Sequence, residues 1–341
     1  MKILETLGEK ITPKISIGVL GSGSWATALV KILTDSKIHV HWYVRNPGQA
    51  QKIKTTSKNP NYLTAVKFSP KRITVSSNIN NVVSNSEWLM LAIPSAYLGD
   101  ELKLLTQPIK NKIIVSGVKG ILPESQLITG EHLHQHYDLP WDNFIVIGGP
   151  SHAEEIALER LSYLTLASKN KTNALLLKSM TNTKYLQVKV SQDVLGIEYS
   201  ATLKNIYALA AGIAHGLNYG DNFQSVLLSN SIREMNRFVK KVSSSKRNIN
   251  QSVYLGDLLV TAYSLFSRNR RFGSMIGRGY TVKGAQMEMN MVAEGYHATE
   301  PLYKLNKSIG NNSPIIDTVY GILFLNKSPK KSFQKLSKKL T

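Results

Sequence analysis

The sequence predicts an α/β fold, a parallel sheet followed by an all-helical second domain. Three observations carry that reading. Continuous apolar runs at Trp88–Ile93, Lys112–Ser116 and Phe144–Ile147 each stop at proline or glycine, the pattern of buried parallel strands. An earlier run, Ile15–Leu20, ends in Gly21-Ser22-Gly23-Ser24-Trp25-Ala26 and passes at once into Thr27–Leu33, which reads as helix. From about Ser191 onward, strand-like runs give way to helical periodicity.

Strand, glycine turn and helix in that order are the context a dinucleotide fingerprint requires. Gly21 allows the tight turn, and Gly23 lets backbone approach a pyrophosphate with no Cβ in the way. Ala26, in place of a third glycine, still permits close packing of helix on strand. The unpaired amides at the start of that helix suit a phosphate. Ile38–Val44 reads as the second strand and ends in Arg45-Asn46-Pro47. An acid is expected there to hold the ribose 2′-hydroxyl of NAD. Arg45 suits a 2′-phosphate instead, so NADP(H) is the preferred cofactor and NAD(H) an allowed one. A plain surface arginine is the alternative.

The stretch 51–66 is polar and irregular, and Ile73–Val75 is a further strand candidate. The apolar runs deliver Gly117-Val118-Lys119-Gly120 and Gly148-Gly149-Pro150-Ser151 at their carboxyl ends. In a doubly wound sheet those ends line one crevice, so Lys119 and Ser151 are expected to face the first glycine loop. Ser151-His152-Ala153-Glu154 also has the form of a capping box. Ser162–Ala167 and Tyr185–Val190 complete the strands. The expected organisation is a dinucleotide-binding domain over 15–190, a helical substrate domain over 191–326 and a basic tail over 327–341.

In the second half, Gly196–Leu217 is expected to be a helix. Leu203, Ile206, Ala210, Ile213 and Leu217 make one apolar stripe, and Ile197, Ala201, Lys204, Ala208 and Ala211 an adjacent one. A lysine among small apolar neighbours loses hydration, which lowers its pKa and suits it to proton transfer. A lysine snorkelling to water is the competing reading. Asn205 either orients a substrate hydroxyl or caps a turn. Ser267-Arg268-Asn269-Arg270-Arg271-Phe272-Gly273 reads as an arginine-rich turn, a phosphate clamp or a nucleic-acid contact. His132, His134 and His136 alternate without metal-ligand spacing and are expected at the surface, so no metal is anticipated.

At 341 residues the chain suits two domains and buries a core without staples. It has no cysteine, which excludes disulfides, thiolate metal sites and a cysteine nucleophile. The first ten residues carry two acids and no long apolar core, so they do not read as a secretory signal. The most apolar run, Ile206–Leu217, is too short to span a bilayer. A soluble, cytoplasmic protein without stable membrane insertion is expected. The net charge of +20 fits nucleic-acid binding, attraction of anionic small molecules, or a generally basic proteome. Aromatic-interleaved basic patches are absent, which favours the last two and argues against a nucleic-acid partner. The basic tail is expected to be solvated or frayed.

Taken together, these motifs resemble the bacterial-type NAD(P)-dependent glycerol-3-phosphate dehydrogenases. The resemblance spans roughly Ile15 to Asn326. It rests on the first glycine loop, Val118-Lys119-Gly120-Ile121, Gly149 through Glu155, Leu203-Lys204-Asn205, Gly220-Asp221-Asn222, Gly256-Asp257-Leu258, Ser267 through Gly273, and Glu294-Gly295. It implies that Lys204 is the proton acceptor, with Lys119 and Asp257 beside the reacting carbon. Gly149, Ser151, Ser267, Arg268 and Asn269 would hold the substrate. Ser24, Trp25, Arg45, Lys119, Ala153, Arg268, Val292 and Glu294 would line the cofactor. The family usually has glycine at the position of Ala26 and commonly an aromatic at that of His152. The implied reaction is hydride transfer between NAD(P)H and dihydroxyacetone phosphate, giving sn-glycerol 3-phosphate for glycerophospholipid synthesis. The implied second domain is helical, like that of the 6-phosphogluconate dehydrogenase group. Another phosphorylated or carboxylated hydroxy compound is the rival substrate, and a catalytically idle NADP(H)-binding regulator is the rival of a different class. A homodimer is left open.

Overall fold

A computed structural model of the chain describes residues 15–289 and 293–341. The first half alternates strand and helix: β1 (Ile17–Leu20), α1 (Ser24–Asp35), β2 (Val40–Tyr43), α2 (Pro47–Thr56), β3 (Ile73–Ser76), α3 (Ile79–Ser84), β4 (Trp88–Leu91) and α4 (Ser95–Leu102). It continues with β5 (Ile113–Ser116), α5 (Thr129–His136), β6 (Phe144–Gly148), α6 (Ala153–Ala157), β7 (Ser162–Ala167), α7 (Lys171–Met180) and β8 (Leu186–Ser191). The strands form one sheet in the order β3-β2-β1-β4-β5-β6-β7-β8.

Side chains alternate across this sheet as strand geometry demands. Leu20, Leu89, Leu91, Ile114 and Val146 face one core; Val19, Trp88, Met90, Val115 and Ile145 face the other. The first core is continuous with the helical half through Ile197, Leu203 and Phe238, so one sheet face is the floor of the second domain. The sheet is not wholly parallel: β7 runs antiparallel to β6, although β8 is parallel to β7. The short helix α6 reverses the chain after β6, and β7 returns beside it. The segment read as irregular begins inside α2, whose amino end is capped by Asn46 accepting from the Gln49 amide at 2.9 Å.

The helical half comprises α8 (Val194–Gly216), α9 (Asp221–Val242), a π-turn at Ser252–Gly256, α10 (Asp257–Tyr263), α11 (Arg268–Gly277), α12 (Val282–Glu288), α13 (Glu294–Ser308), α14 (Pro314–Phe324) and α15 (Pro329–Ser337). Asp193 ends the strand region and starts α8 by accepting from the Gly196 amide at 3.2 Å. It also accepts from Arg247 and Tyr254, both at 2.6 Å, and from the Ser243 hydroxyl at 3.3 Å, so the junction is pinned from several sides. Among the described residues, no helix is long and apolar enough to cross a membrane.

Two expectations are corrected here. The basic tail is not frayed: α15 is amphipathic, its lysines turn outward, and Phe333 and Leu336 are buried. Phe333 packs beside Tyr219 and Phe223, with ring centroids 6.2 and 6.3 Å away. Its aromatic ring outweighs the cost of ordering a lysine-rich end. His132 is also buried, at 3 % exposure, with Nδ1 within 2.9 Å of the Ser125 hydroxyl. Burial and its neighbour His136 hold its pKa below the ordinary histidine value.

Phe333→Ala should therefore destabilise the protein by about 3–5 kcal/mol, the usual penalty for emptying a buried aromatic site. Urea unfolding measures it; a loss under about 0.5 kcal/mol, the range of surface substitutions, would mean that the tail does not contribute to the core.

Candidate active site

The carboxyl ends of β1, β4, β5 and β6 open onto a cleft of about 390 Å³ roofed by α8, α10 and α11. Each wall has a local cause. Gly21 sits at φ +127°, and a Cβ there would lie 2.5 Å from the Ala92 carbonyl oxygen. Only glycine turns the chain this sharply against β4. The loop is then fastened from behind: the Trp42 indole donates to the Gly21 carbonyl at 2.7 Å and Asn59 to that of Ser22 at 2.9 Å. At Gly23, by contrast, a Cβ would meet nothing within 4 Å. The first turn of α1 therefore faces open cleft.

Across the cleft, α8 places Lys204. Of its 23 residues 20 are buried, so it has no wet face to which a lysine could snorkel. Lys204 is 4 % exposed and its ammonium bonds directly to Asp257 Oδ1. Burial lowers its pKa to about 7; Asp257 opposes that shift, and the nearby Lys119 adds to it. Lys119 Nζ stands 4.0 Å from Asp257 Oδ2 and 5.5 Å from the centroid of the Trp25 ring. The buried Asp257 Oδ2 has no hydrogen-bond partner among the described residues. One carboxylate thus lies between two amines, on the first residue of α10.

Asn205 neither caps a turn nor points free. Its amide donates to the Lys119 carbonyl at 2.7 Å and so ties the β5 loop to α8. The arginine-rich segment is also no turn. Ser267 caps α11 by accepting from the Arg270 amide at 3.3 Å, and Arg268 begins the helix at the cleft. α11 packs on α8 closely enough that a Cβ on Gly273 would lie 2.1 Å from the Leu209 carbonyl, and one on Gly212 2.1 Å from that of Arg270. That backbone contact holds Arg268 and Lys204 in one frame.

Residues placed on the cleft are Gly23, Ser24, Trp25, Lys119, Ser151, Ala153, Lys204, Asp257, Ser267, Arg268, Asn269 and Glu294. Gly149, at φ +110°, shapes the loop beneath it. Arg45 lies at the end of β2, away from the cleft lining, with its side chain 69 % exposed and paired to Glu101 at 3.2 Å. Val292 lies outside the described residues. The capping box at Ser151 does not form: with Gly149 left-handed, the Ser151 hydroxyl turns back to the Gly149 carbonyl at 3.0 Å, and α6 has no side-chain cap.

Sequence reasoning passed over Ser95 and the role of His152. Ser95 donates its amide and hydroxyl to the Glu294 carboxylate and joins α4 to α13. Its only signal was its place directly after a buried strand. His152 lines the cleft with Nε2 buried and without a partner among the described residues, and burial, then Lys204 and Lys119, keep its pKa below the usual histidine value.

The residues present fit a dinucleotide. The open space at Gly23, the amides of the first turn of α1, and the buried Trp25 Nε1, which has no acceptor among the described residues, all lie on one side of the cleft. Among the described residues, no group of three or more histidines and acids stands close enough to hold a metal ion. A dinucleotide sheet, a helical partner and a lysine–aspartate pair between them define a two-domain nicotinamide-dependent dehydrogenase.

Family models narrow the class. Residues 16–174 match the NAD-dependent glycerol-3-phosphate dehydrogenase N-terminus and residues 193–334 its C-terminus. The chain belongs to the NAD-dependent glycerol-3-phosphate dehydrogenase family. It is 33 % identical over 321 residues to glycerol-3-phosphate dehydrogenase [NAD(P)+] of Clostridium botulinum, covering 94 % of this chain and 96 % of that one. The Bacillus subtilis protein of the same name is 33 % identical over 312 residues, covering 90 % of each. A crystal structure of glycerol-3-phosphate dehydrogenase from Coxiella burnetii superposes with a TM-score of 0.86 at 26 % identity, over 94 % of this chain and 98 % of that one.

The lowered Lys204 pKa has a stability consequence. Between about 7 and its ordinary 10.5 the unfolded chain binds a proton that the folded chain does not. Stability relative to Lys204→Met should thus rise with pH across that window, by about 1.4 kcal/mol per unit, and be flat below it. Unfolding titrations of both proteins at several pH values measure this. A flat difference from pH 7 to 10 would show that burial leaves Lys204 unperturbed.

Proposed function

We propose that this cleft interconverts dihydroxyacetone phosphate and sn-glycerol 3-phosphate, with Lys204 exchanging the proton at the carbinol oxygen. The reaction is that of the family to which the chain belongs, and its product is the backbone of glycerophospholipids. The buried Lys204–Asp257 pair carries the assignment of roles.

When bound, the nicotinamide supplies or accepts the hydride. Everything else falls to side chains of this protein. In the direction of reduction, the carbonyl oxygen gains negative charge, and the Lys204 ammonium stabilises it and then transfers a proton from Nζ. In the direction of oxidation, neutral Lys204 takes that proton back. A pKa near 7 lets one residue serve both directions at neutral pH. Asp257 orients Nζ and keeps the cation from being lost altogether. Lys119, on the other side of Asp257, adds positive charge where the oxygen develops its own.

The phosphate of the substrate is assigned to the amino end of α11. Ser267, Arg268 and Asn269, the cap and first two residues of that helix, line the cleft there. Gly149 and Ser151 are assigned to the opposite side of the substrate. Gly21, Gly23, Ser24, Trp25, Lys119, Ala153, Arg268 and Glu294 are the residues assigned to the cofactor. Arg45 is assigned to a 2′-phosphate, which makes NADP(H) the preferred form with NAD(H) accepted.

The direct test is loss of nicotinamide absorbance with dihydroxyacetone phosphate, beside a panel of other ketones. Unphosphorylated dihydroxyacetone should be a very poor substrate, and comparable turnover of it would remove the phosphate clamp. Arg268→Leu should cost about 2–5 kcal/mol in kcat/KM, the usual loss when a buried charge partner is truncated.

Lys204→Met should lower single-turnover reduction by roughly three orders of magnitude while the cofactor still binds. In the wild type, the reduction rate should fall above about pH 7 and the oxidation rate below it, following the Lys204 proton. Near-normal turnover of Lys204→Met, or pH profiles with the same slope in both directions, would refute the role of Lys204.

A further inference from the structure

The acid expected after the second strand is missing from that position in the sequence, yet a carboxylate stands there in space. Glu101, at the end of α4, reaches the end of β2 and accepts from the Tyr43 hydroxyl at 2.6 Å and from Arg45 Nη1 at 3.2 Å. The Glu101 side chain is 7 % exposed and that of Arg45 69 %. The acid is therefore fixed from behind, and most of the guanidinium faces outward. The Tyr43 carbonyl accepts from the Gly21 amide at 3.2 Å, which places the pair beside the glycine turn. Burial, then the bond to Glu101, pushes the Tyr43 hydroxyl far above its usual range, so it remains a donor to the acid.

We infer that Glu101 is a specificity-determining residue for the cofactor: by holding one arm of Arg45 and offsetting its charge, it restrains the preference for a 2′-phosphate. The site then accepts both NADPH and NADH. The inference rests on the assignment of Arg45 to the 2′-phosphate. A phosphate carrying close to two negative charges interacts with the whole pair, attracted by the guanidinium and repelled by the carboxylate behind it. The neutral 2′-hydroxyl of NADH is nearly indifferent to both. Neutralising Glu101 should therefore act on one cofactor and spare the other. No local pattern could have announced this, because the partners are 56 residues apart and meet only through the crossover of α4.

The test is equilibrium titration of NADPH and NADH by fluorescence, which needs no turnover, on the wild type, Glu101→Gln and Arg45→Leu. The wild-type ratio of Kd for NADH to that for NADPH should be below about tenfold. Glu101→Gln keeps the shape and hydrogen-bonding reach, and should raise the ratio by about three- to tenfold through tighter NADPH binding. A ratio changed less than about twofold, or raised only by weaker NADH binding, overturns the inference. If Glu101→Gln does not fold, the wild type decides alone, since a ratio above about tenfold contradicts a restrained arginine. Arg45→Leu separates the two readings. Unchanged NADPH affinity there removes Arg45 from the 2′-phosphate, whatever Glu101 does. Weakened NADPH binding with an unresponsive Glu101→Gln removes the role of Glu101 alone.

Discussion

An ammonium group held out of water beside a single carboxylate is the constraint on which the rest of this structure depends. Burying Lys204 and Asp257 costs several kcal/mol per charge, and their attraction offsets that only with close geometry. The surroundings are arranged for it. Lys204 lies on a helix with no solvated face, and Asp257 begins a second helix immediately after a π-turn. Burial drives the lysine pKa down and Asp257 raises it only part of the way back, which leaves it near 7 instead of driven further down or fully restored.

The same pair explains how two differently built halves make one site. The sheet contributes loops, which are short and glycine-bearing because strands must end close to one another at the crevice. The helical half contributes side chains on rigid α8, α10 and α11. Two of the contacts between the halves lie at the cleft itself: Asn205 to the Lys119 carbonyl, and Ser95 to Glu294. The first fastens a loop of the sheet to α8 and the second the start of α4 to the start of α13, so each half constrains the other at the cleft. Glu294 shows the accompanying strain in charge. Burial raises its pKa while the two Ser95 bonds oppose the shift.

Much of this was legible in the sequence, for reasons that are local. Gly21 and Gly23 stand out because strand, turn and helix follow within a few residues. Lys204 stands out because helical spacing puts it among small apolar side chains. What sequence reading misjudged depended on partners it could not see. The 327–341 segment looks soluble until Phe333 finds Tyr219 and Phe223, distant in sequence. Ser151 satisfies a capping pattern, but the left-handed Gly149 diverts its hydroxyl. The pairing of Arg45 with Glu101 was equally invisible, because the two residues are 56 positions apart.

The sequence by itself determined the order of strands and helices, the glycine turn and the residue types at the cleft. Periodicity and turn chemistry act over a few residues, and they need no knowledge of what lies opposite. Only the tertiary structure decided the charge states and the pairings. The pKa of Lys204 falls to about 7 because α8 is covered on every side, while Asp257 arrives from another helix and opposes the shift. Desolvation and Coulomb energy depend on what surrounds a group in three dimensions, and the chain sets that only when it is folded.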